Sequence, residues 1–295
     1  MRSAFLTLRH GDLSAIVAPE AGGSLAAFSA GGRQMLRSFD LRGAGAEAAN
    51  PLAMACYPLV PFSNRIAQGR FTFHGRSIAL APDPISPPHA IHGIGWRRAW
   101  SVEAVSESEA TLSLRHDAGE WPWSFTARET FALDDEALTI TLTLTNRAGE
   151  PMPGGLGLHP FFPGRARAGL EAHLPFVWET APDRLPLRRV AVPPAWDFST
   201  SRALVPLALD HCFSGGGGPV LIEWEDCPLA LRLERQGSDH LVIYTPQDED
   251  FFCVEPVSHV PDAVNRPEGA DVTGLVALAP GAEMRLSCRF AVIAR

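Results

Sequence analysis

The sequence predicts an all-β protein, a large antiparallel β-sandwich, on three observations. Apolar and polar residues alternate with period two in many separate segments. No apolar pattern of helical period runs longer than three turns. The 26 prolines cluster in connections, where they interrupt any helix.

The strands follow in chain order. FTFHGRSIAL (71–80) alternates on both sides of His74-Gly75, and glycine there adopts the positive φ of a tight hairpin turn. ATLSLRH, SFTARETFAL and ALTITLTLTN alternate in the same way, with Asp134-Asp135 as the turn between the last two. Threonine-rich TITLTLT makes a poor helix and a good half-buried strand, because β-branched side chains are stiff at χ1. Further strands are expected at VLIEWED, LALRLER, HLVIYT, FFCVEP and MRLSCRFAV. PDPISPP, PLRRVAVPP and the stretch from Pro151 to Pro163 mark connections, and the Gly215–Gly218 run reads as a loop. With no fixed-period repeat and no long polar linker, residues 1–295 read as a single β-sandwich domain.

Composition narrows the chemistry. The chain is 46% hydrophobic and 20% charged, with net charge -8 and no basic block, which argues against a nucleic-acid partner. All 25 basic residues counted as Lys+Arg are arginines. The absence of lysine excludes Schiff-base catalysis, a lysine-bound pyridoxal cofactor and a phosphate-loop lysine. Five cysteines stand singly, which fits neither a zinc knuckle nor a disulfide framework and suits a reducing compartment. The N-terminal residues lack an apolar signal core and no run approaches a membrane span, so a cytoplasmic protein is expected.

Weak motifs are set aside first. GAGAEAA, from Gly43, lacks the third glycine and the strand–helix context of a dinucleotide fingerprint. No G-x-S-x-G elbow occurs. His89 and His92 (HAIH) have no carboxylate at metal spacing beside them, so no metal site is expected. Stronger signals lie in five segments. In CYPLVPFSNRIAQGRF, Asn64 and Arg65 stand among apolar residues before a strand, and arginine there offers a planar donor fork or merely caps its own loop. PPHAIHGIGWRRAW carries His92-Gly93 and Trp96, which composition alone reads as a turn glycine and a packed ring. GGLGLHPFFPG places His159 in extended or turn backbone before proline, where a packed core histidine is the bland alternative. FFCVEPVSHVPDAVNRP carries Glu255 at a strand end, and burial there would raise its pKa as a general base requires. In LDHCF, Asp210 and His211 interrupt an apolar run.

Taken in order and spacing, these segments resemble the aldose 1-epimerase (galactose mutarotase) family: NRI with a following G-x-F at 64–71, HG at 92–93, GLHPFF at 157–162 within its glycine-rich segment, LDHCF at 209–213, YT at 244–245 and E-P-x-x-x-x-P-D-A-V-N at 255–265. The resemblance spans nearly the whole chain and implies the same β-sandwich. It further implies interconversion of the α and β anomers of a free aldose, a small-molecule sugar, without metal or organic cofactor, by a monomer or homodimer. Residue by residue it implies His159 as the acid at the ring oxygen and Glu255 as the base at the C1 hydroxyl. His92 and Asp210 would hold sugar hydroxyls, Arg65 with Asn64 would orient the substrate, and Trp96, or Phe161 and Phe162, would wall a sugar face. One position departs: the family's glutamine two residues before the YT tyrosine is Val242 here, which puts galactose or glucose as substrate in question.

The residue set suits that reaction. Ring opening and reclosure need one group to give a proton while another takes one, with roles exchanged on closure. Three competing readings remain at this level: a sugar-phosphate epimerase using Arg65, Arg97 and Arg98 as a clamp, a non-catalytic sugar sensor, and a glycosidase with Asp210 and Glu255 as paired carboxylates.

Overall fold

In the computed structural model, which describes residues 5–40 and 49–295, the alternating segments pair into two large sheets, every ladder of which is antiparallel. The GAGAEAA segment lies outside the described residues except for Ala49.

The nine-stranded sheet has the spatial order Ser101–Val105, Glu109–His116, Phe125–Leu133, Ala137–Asn146, Glu283–Ala294, Leu229–Gln236, Val220–Trp224, Ala168–Glu171, Arg202–Ala203. Its alternation is the one read from sequence. Leu138, Ile140, Leu142 and Leu144 are buried while the threonines between them are half-buried. Asp134 closes the hairpin into this strand, its Oδ1 accepting the N–H of Glu136 at 2.9 Å and of Ala137 at 3.0 Å.

The eleven-stranded sheet runs Leu6–His10, Leu13–Ala18, Ser24–Ala30, Cys56–Leu59, Gly157–Pro163, Phe251–Val257, His240–Tyr244, Asp210–Ser214, Phe176–Thr180, Pro186–Ala191, with Arg33–Gln34 added on Ser24–Ala30. Its central strands do not alternate in burial; Phe251–Val257 is buried at all but its first residue. Both faces are covered, which is why these strands read as near-continuous apolar runs. Leu158, Phe162, Phe252, Val254, Leu241 and Ile243 join the other sheet in one buried apolar cluster. Tyr57, Phe161, Val242, Cys212 and Cys253 face the other way, into a second cluster beneath the connecting segments.

Of the proline-rich stretches expected as connections only PDPISPP is one. Pro186–Ala191 is an edge strand, and Pro151–Pro163 contains the strands Met152–Gly154 and Gly157–Pro163, because proline is tolerated at edges and at positions that give no ladder N–H. The predicted hairpin forms as Arg70–Phe73 and Arg76–Ala79 around His74 (φ 47°) and Gly75 (φ 79°). Helix is limited to single turns, such as Ala270–Thr273. All five cysteines are free and buried, and no described helix is long and apolar enough to cross a membrane.

One buried residue obeys the strand period and breaks the chemistry. Glu129 falls on the core face of Phe125–Leu133, is 1% exposed, and its Oε2 has no hydrogen-bond partner. Burial pushes its carboxyl well above the usual carboxylate range. The folded state therefore holds a proton that the unfolded chain releases above its ordinary carboxylate pKa. The stability this proton confers is complete below that value and is lost as pH rises toward the folded one. Glu129→Leu is expected to stabilise the fold by about 1–3 kcal/mol and to flatten the fall in Tm between pH 5 and pH 9. An unchanged pH slope in thermal unfolding would refute this.

Candidate active site

Strand register assembles the site. Tyr57 pairs with His159, Glu255 with Val242, and Val242 with Cys212. Gly157 pairs with Val257 and Phe161 with Cys253, so His159 stands directly opposite Glu255. The neighbouring row is Phe161, Cys253, Tyr244 and Asp210. Side chains of both rows project to the same face because strand side chains repeat with period two. Residues far apart in the chain thus meet at the base of a cavity of about 500 Å³, into which His159, Glu255, Asp210, His92, Asn64 and Arg65 all reach.

The roof comes from two turns in left-handed backbone. Asn64 (φ 58°) and His92 (φ 62°) bond each other: the His92 N–H donates to the Asn64 carbonyl at 2.9 Å, and the Asn64 N–H donates to His92 Nδ1 at 3.2 Å. With Nδ1 accepting, the neutral His92 ring carries its proton on Nε2 and can donate from there. Burial, then the proximity of His159, holds His92 well below the usual imidazole pKa. Gly93 follows at φ 70°, and a Cβ there would sit 2.2 Å from the Val60 carbonyl oxygen, so no side chain fits.

Arg65 is braced on all sides. Its Nε donates to Ser86 Oγ at 3.0 Å, its Nη1 to Asn64 Oδ1 at 3.3 Å, and its Nη2 lies 4.0 Å from Asp210 Oδ2. Arg184 Nε lies 3.7 Å from the same oxygen. The PDAVN segment proves to be scaffolding for this arm. The Asp262 N–H donates to the Arg65 carbonyl at 2.8 Å, Asp262 Oδ1 accepts the Ala67 N–H at 2.9 Å, and Asn265 Nδ2 donates to Asp262 Oδ1 at 2.7 Å.

At the floor, His159 Nε2 is 3.4 Å from Glu255 Oε1, with both side chains nearly buried. His159 Nδ1 and Glu255 Oε2 have no hydrogen-bond partner. Ring packing holds the imidazole instead: Tyr57 (4.6 Å, 28°) and Phe161 (4.6 Å, 20°) both stack against it, their own centroids 5.9 Å apart. The Arg37 guanidinium caps Phe161 at 3.8 Å, and Trp96 backs Tyr57 at 5.3 Å. Burial, reinforced by the Arg37 charge, lowers His159 to about 3. Burial, reinforced by Asp210, raises Glu255 well above its ordinary value. Unperturbed values of about 4.3 and 6.5 would allow a carboxylate beside an imidazolium at mild pH; both shifts here run the other way, because desolvation of two charges outweighs their attraction. Both shifts favour the neutral forms, the carboxylic acid of Glu255 and the uncharged imidazole of His159.

Some expectations need correction. Trp96 is fully buried and touches no cavity surface; it packs behind Tyr57 with Arg97 over its far face. Phe161 forms part of the wall, whereas Phe162, one residue on, points into the sandwich core. Arg97 and Arg98 do not line the cavity and are engaged by Asp83 and Glu120, which removes them from a phosphate clamp in this cavity. His89 and His92 each spend Nδ1 on a backbone N–H. Among the described residues the potential metal donors that do gather are His159, Cys253 and Glu255, within 4.8 Å of one another. Val242 is buried beside Glu255 and does not line the cavity. The sequence reading missed Arg37, an isolated arginine among apolar neighbours that only the fold carries onto Phe161.

Comparison with known proteins agrees with this architecture. A sequence model of the family described as aldose 1-epimerase matches residues 5–291. The uncharacterized protein YphB of Escherichia coli K12 is 32% identical over 284 residues, covering 93% of this chain and 94% of that protein. A crystal structure of an aldose 1-epimerase candidate from Escherichia coli K12 superposes with a TM-score of 0.89 at 30% identity, covering 99% of each chain. A galactose mutarotase-like protein of Clostridium acetobutylicum shares the fold at a TM-score of 0.87 and 18% identity, over 99% of this chain and 95% of that one.

Proposed function

The chain belongs to the aldose 1-epimerase family, and from that premise we propose that it interconverts the α and β anomers of a free aldose by proton transfer through His159 and Glu255. The observation that carries this reading is the isolated pair at the cavity floor, 3.4 Å apart, with one carboxylate oxygen left unbonded.

A sugar hydroxyl donating to Glu255 Oε2 stabilises the carboxylate. That tips the shared proton across to His159 Nε2, which then faces the ring oxygen. Glu255 takes the C1 hydroxyl proton as His159 protonates the ring oxygen, and the C1–ring oxygen bond breaks. The aldehyde rotates about its bond to C2. Closure on the other carbonyl face returns both protons along the same route. His92 Nε2–H, Arg65 and Asp210 hold the remaining hydroxyls, so that the open chain stays in register with the pair. With Arg97 and Arg98 withdrawn into ion pairs of their own, an unphosphorylated sugar is the better fit.

The test is a panel of freshly dissolved pure-anomer sugars followed by NMR exchange with and without protein, including a hexose and its 6-phosphate. Acceleration of a free aldose is expected. A sugar that binds but exchanges no faster than in buffer would replace this reading with that of a sensor.

The pH profile follows from the electrostatics. The working pair carries one proton, and its two apparent pKa values belong to the pair. A second proton enters only near the value of about 3 to which His159 is lowered. The shared proton leaves only above the ordinary carboxylate range, because Glu255 is raised. The rate is expected to show no limb from an ordinary imidazole and to fall as pH rises through the raised Glu255 value, where the shared proton leaves. An acid limb centred near 6.5, the unperturbed imidazole value, would contradict it.

A further inference from the structure

We propose that the cavity floor is also a binding site for one thiophilic divalent cation, with zinc as the type, held by His159 Nε2, a Glu255 oxygen and Cys253 Sγ, and that its occupancy switches catalysis off. The inhibitory half of this proposal rests on the proton-transfer reading above; the site itself does not.

The three donors lie within 4.8 Å of one another and all three residues are buried. The fold brings them together for reasons independent of any metal. Glu255 stands opposite His159 in register, and Cys253, two residues earlier on the same strand, projects to the same face. Glu255 Oε2 is buried with no partner, an orphaned acceptor within the cluster. Such an atom costs free energy in the apolar interior unless something donates to it or coordinates it.

The donor set is selective. One nitrogen, one sulfur and one oxygen form the mixed, borderline-soft environment that zinc takes and that magnesium and calcium, which prefer oxygen, do not. Zinc bonds of about 2.0–2.3 Å space donors roughly 3.3–3.8 Å apart, and the Nε2–Oε1 pair is already at 3.4 Å. The thiol closes the triangle by a shift of about 1 Å. A cation flanked by one thiolate and one carboxylate is neutral overall, which suits burial. On coordination the thiol and carboxyl protons pass to solvent, so zinc binds less tightly as pH falls. The side facing the cavity stays open for a fourth ligand, water or a sugar hydroxyl. The bound ion takes the Nε2 lone pair and a carboxylate oxygen, the two atoms that pass the proton.

The experiment titrates chelator-stripped full-length protein with zinc chloride by calorimetry, with cobalt(II) as the optical probe and the anomer-exchange rate measured in parallel. The expected result is one equivalent of zinc bound, loss of the exchange rate in step with it, recovery with EDTA, and a thiolate-to-cobalt charge-transfer band. Cys253→Ser, with Cys253→Ala as a second variant, is expected to keep the zinc-free rate. Both should need at least tenfold more zinc for half-inhibition and show no charge-transfer band. Absence of stoichiometric binding, equal zinc affinity in both cysteine variants, or acceleration by zinc would overturn the proposal. If the protein proves inactive on every sugar, calorimetry and the cobalt band still decide the site, so the two failures are distinguishable.

Discussion

Glu255→Gln is expected to lower the accelerated anomer-exchange rate by about 10²–10⁴-fold, the usual contribution of positioned proton transfer. The substitution is nearly isosteric and leaves an amide beside His159 Nε2, so the floor keeps its shape. What is lost is the ability to take up and release a proton at the C1 hydroxyl. On the proposed reading Arg65, His92 and Asp210 would still hold the sugar, so the loss should appear in kcat, with KM little changed. Saturation kinetics by polarimetry, corrected for the spontaneous rate, measure both. A variant that retains wild-type acceleration would remove Glu255 from the chemistry.

His159→Asn is expected to cost a comparable factor, and His159→Phe separates its two contributions. Phenylalanine preserves the ring contacts to Tyr57 and Phe161, whose centroids each sit 4.6 Å from the imidazole, while removing Nε2. If stacking were all that His159 supplied, the Phe variant would stay active. Loss in both variants assigns the effect to the ring nitrogen. The Glu255→Gln/His159→Asn double variant should be little worse than either single one, because acid and base act as a unit. Multiplicative losses would mean that the two residues act independently.

The alkaline limb and the zinc response, as proposed, are both expected to act on the same carboxyl. Raising pH deprotonates Glu255 and empties the pair of its proton, whereas zinc occupies the same oxygen with a cation. The first is reversed by acid and the second by a chelator, and only the second depends on Cys253.

Much of the candidate site was visible as residue types: His159, Glu255, His92, Asn64, Arg65 and Asp210, singled out as polar groups in apolar or proline-rich stretches and given roles only by the family resemblance, all line one cavity. Trp96 was misplaced because a tryptophan beside a candidate histidine looks the same in sequence whether it lines a cavity or backs it. The strand alternation that sends Phe161 to the cavity and Phe162 to the core becomes informative only once one face is known to carry the site. The role of PDAVN was likewise hidden, since Asp262 and Asn265 act on a loop nearly 200 positions earlier, through backbone groups common to every residue.

By itself the sequence determined the class of fold and the inventory of chemistry. Period-two burial and β-branched stiffness are local properties, and the lack of lysine is a matter of counting. The tertiary structure alone decided which groups meet and in what state of charge. Strand register sets His159 against Glu255, ring stacking orients the imidazole, and burial drives both groups toward neutrality. Proximity and desolvation are properties of three-dimensional neighbourhoods, and residues this far apart in the chain carry no local trace of them.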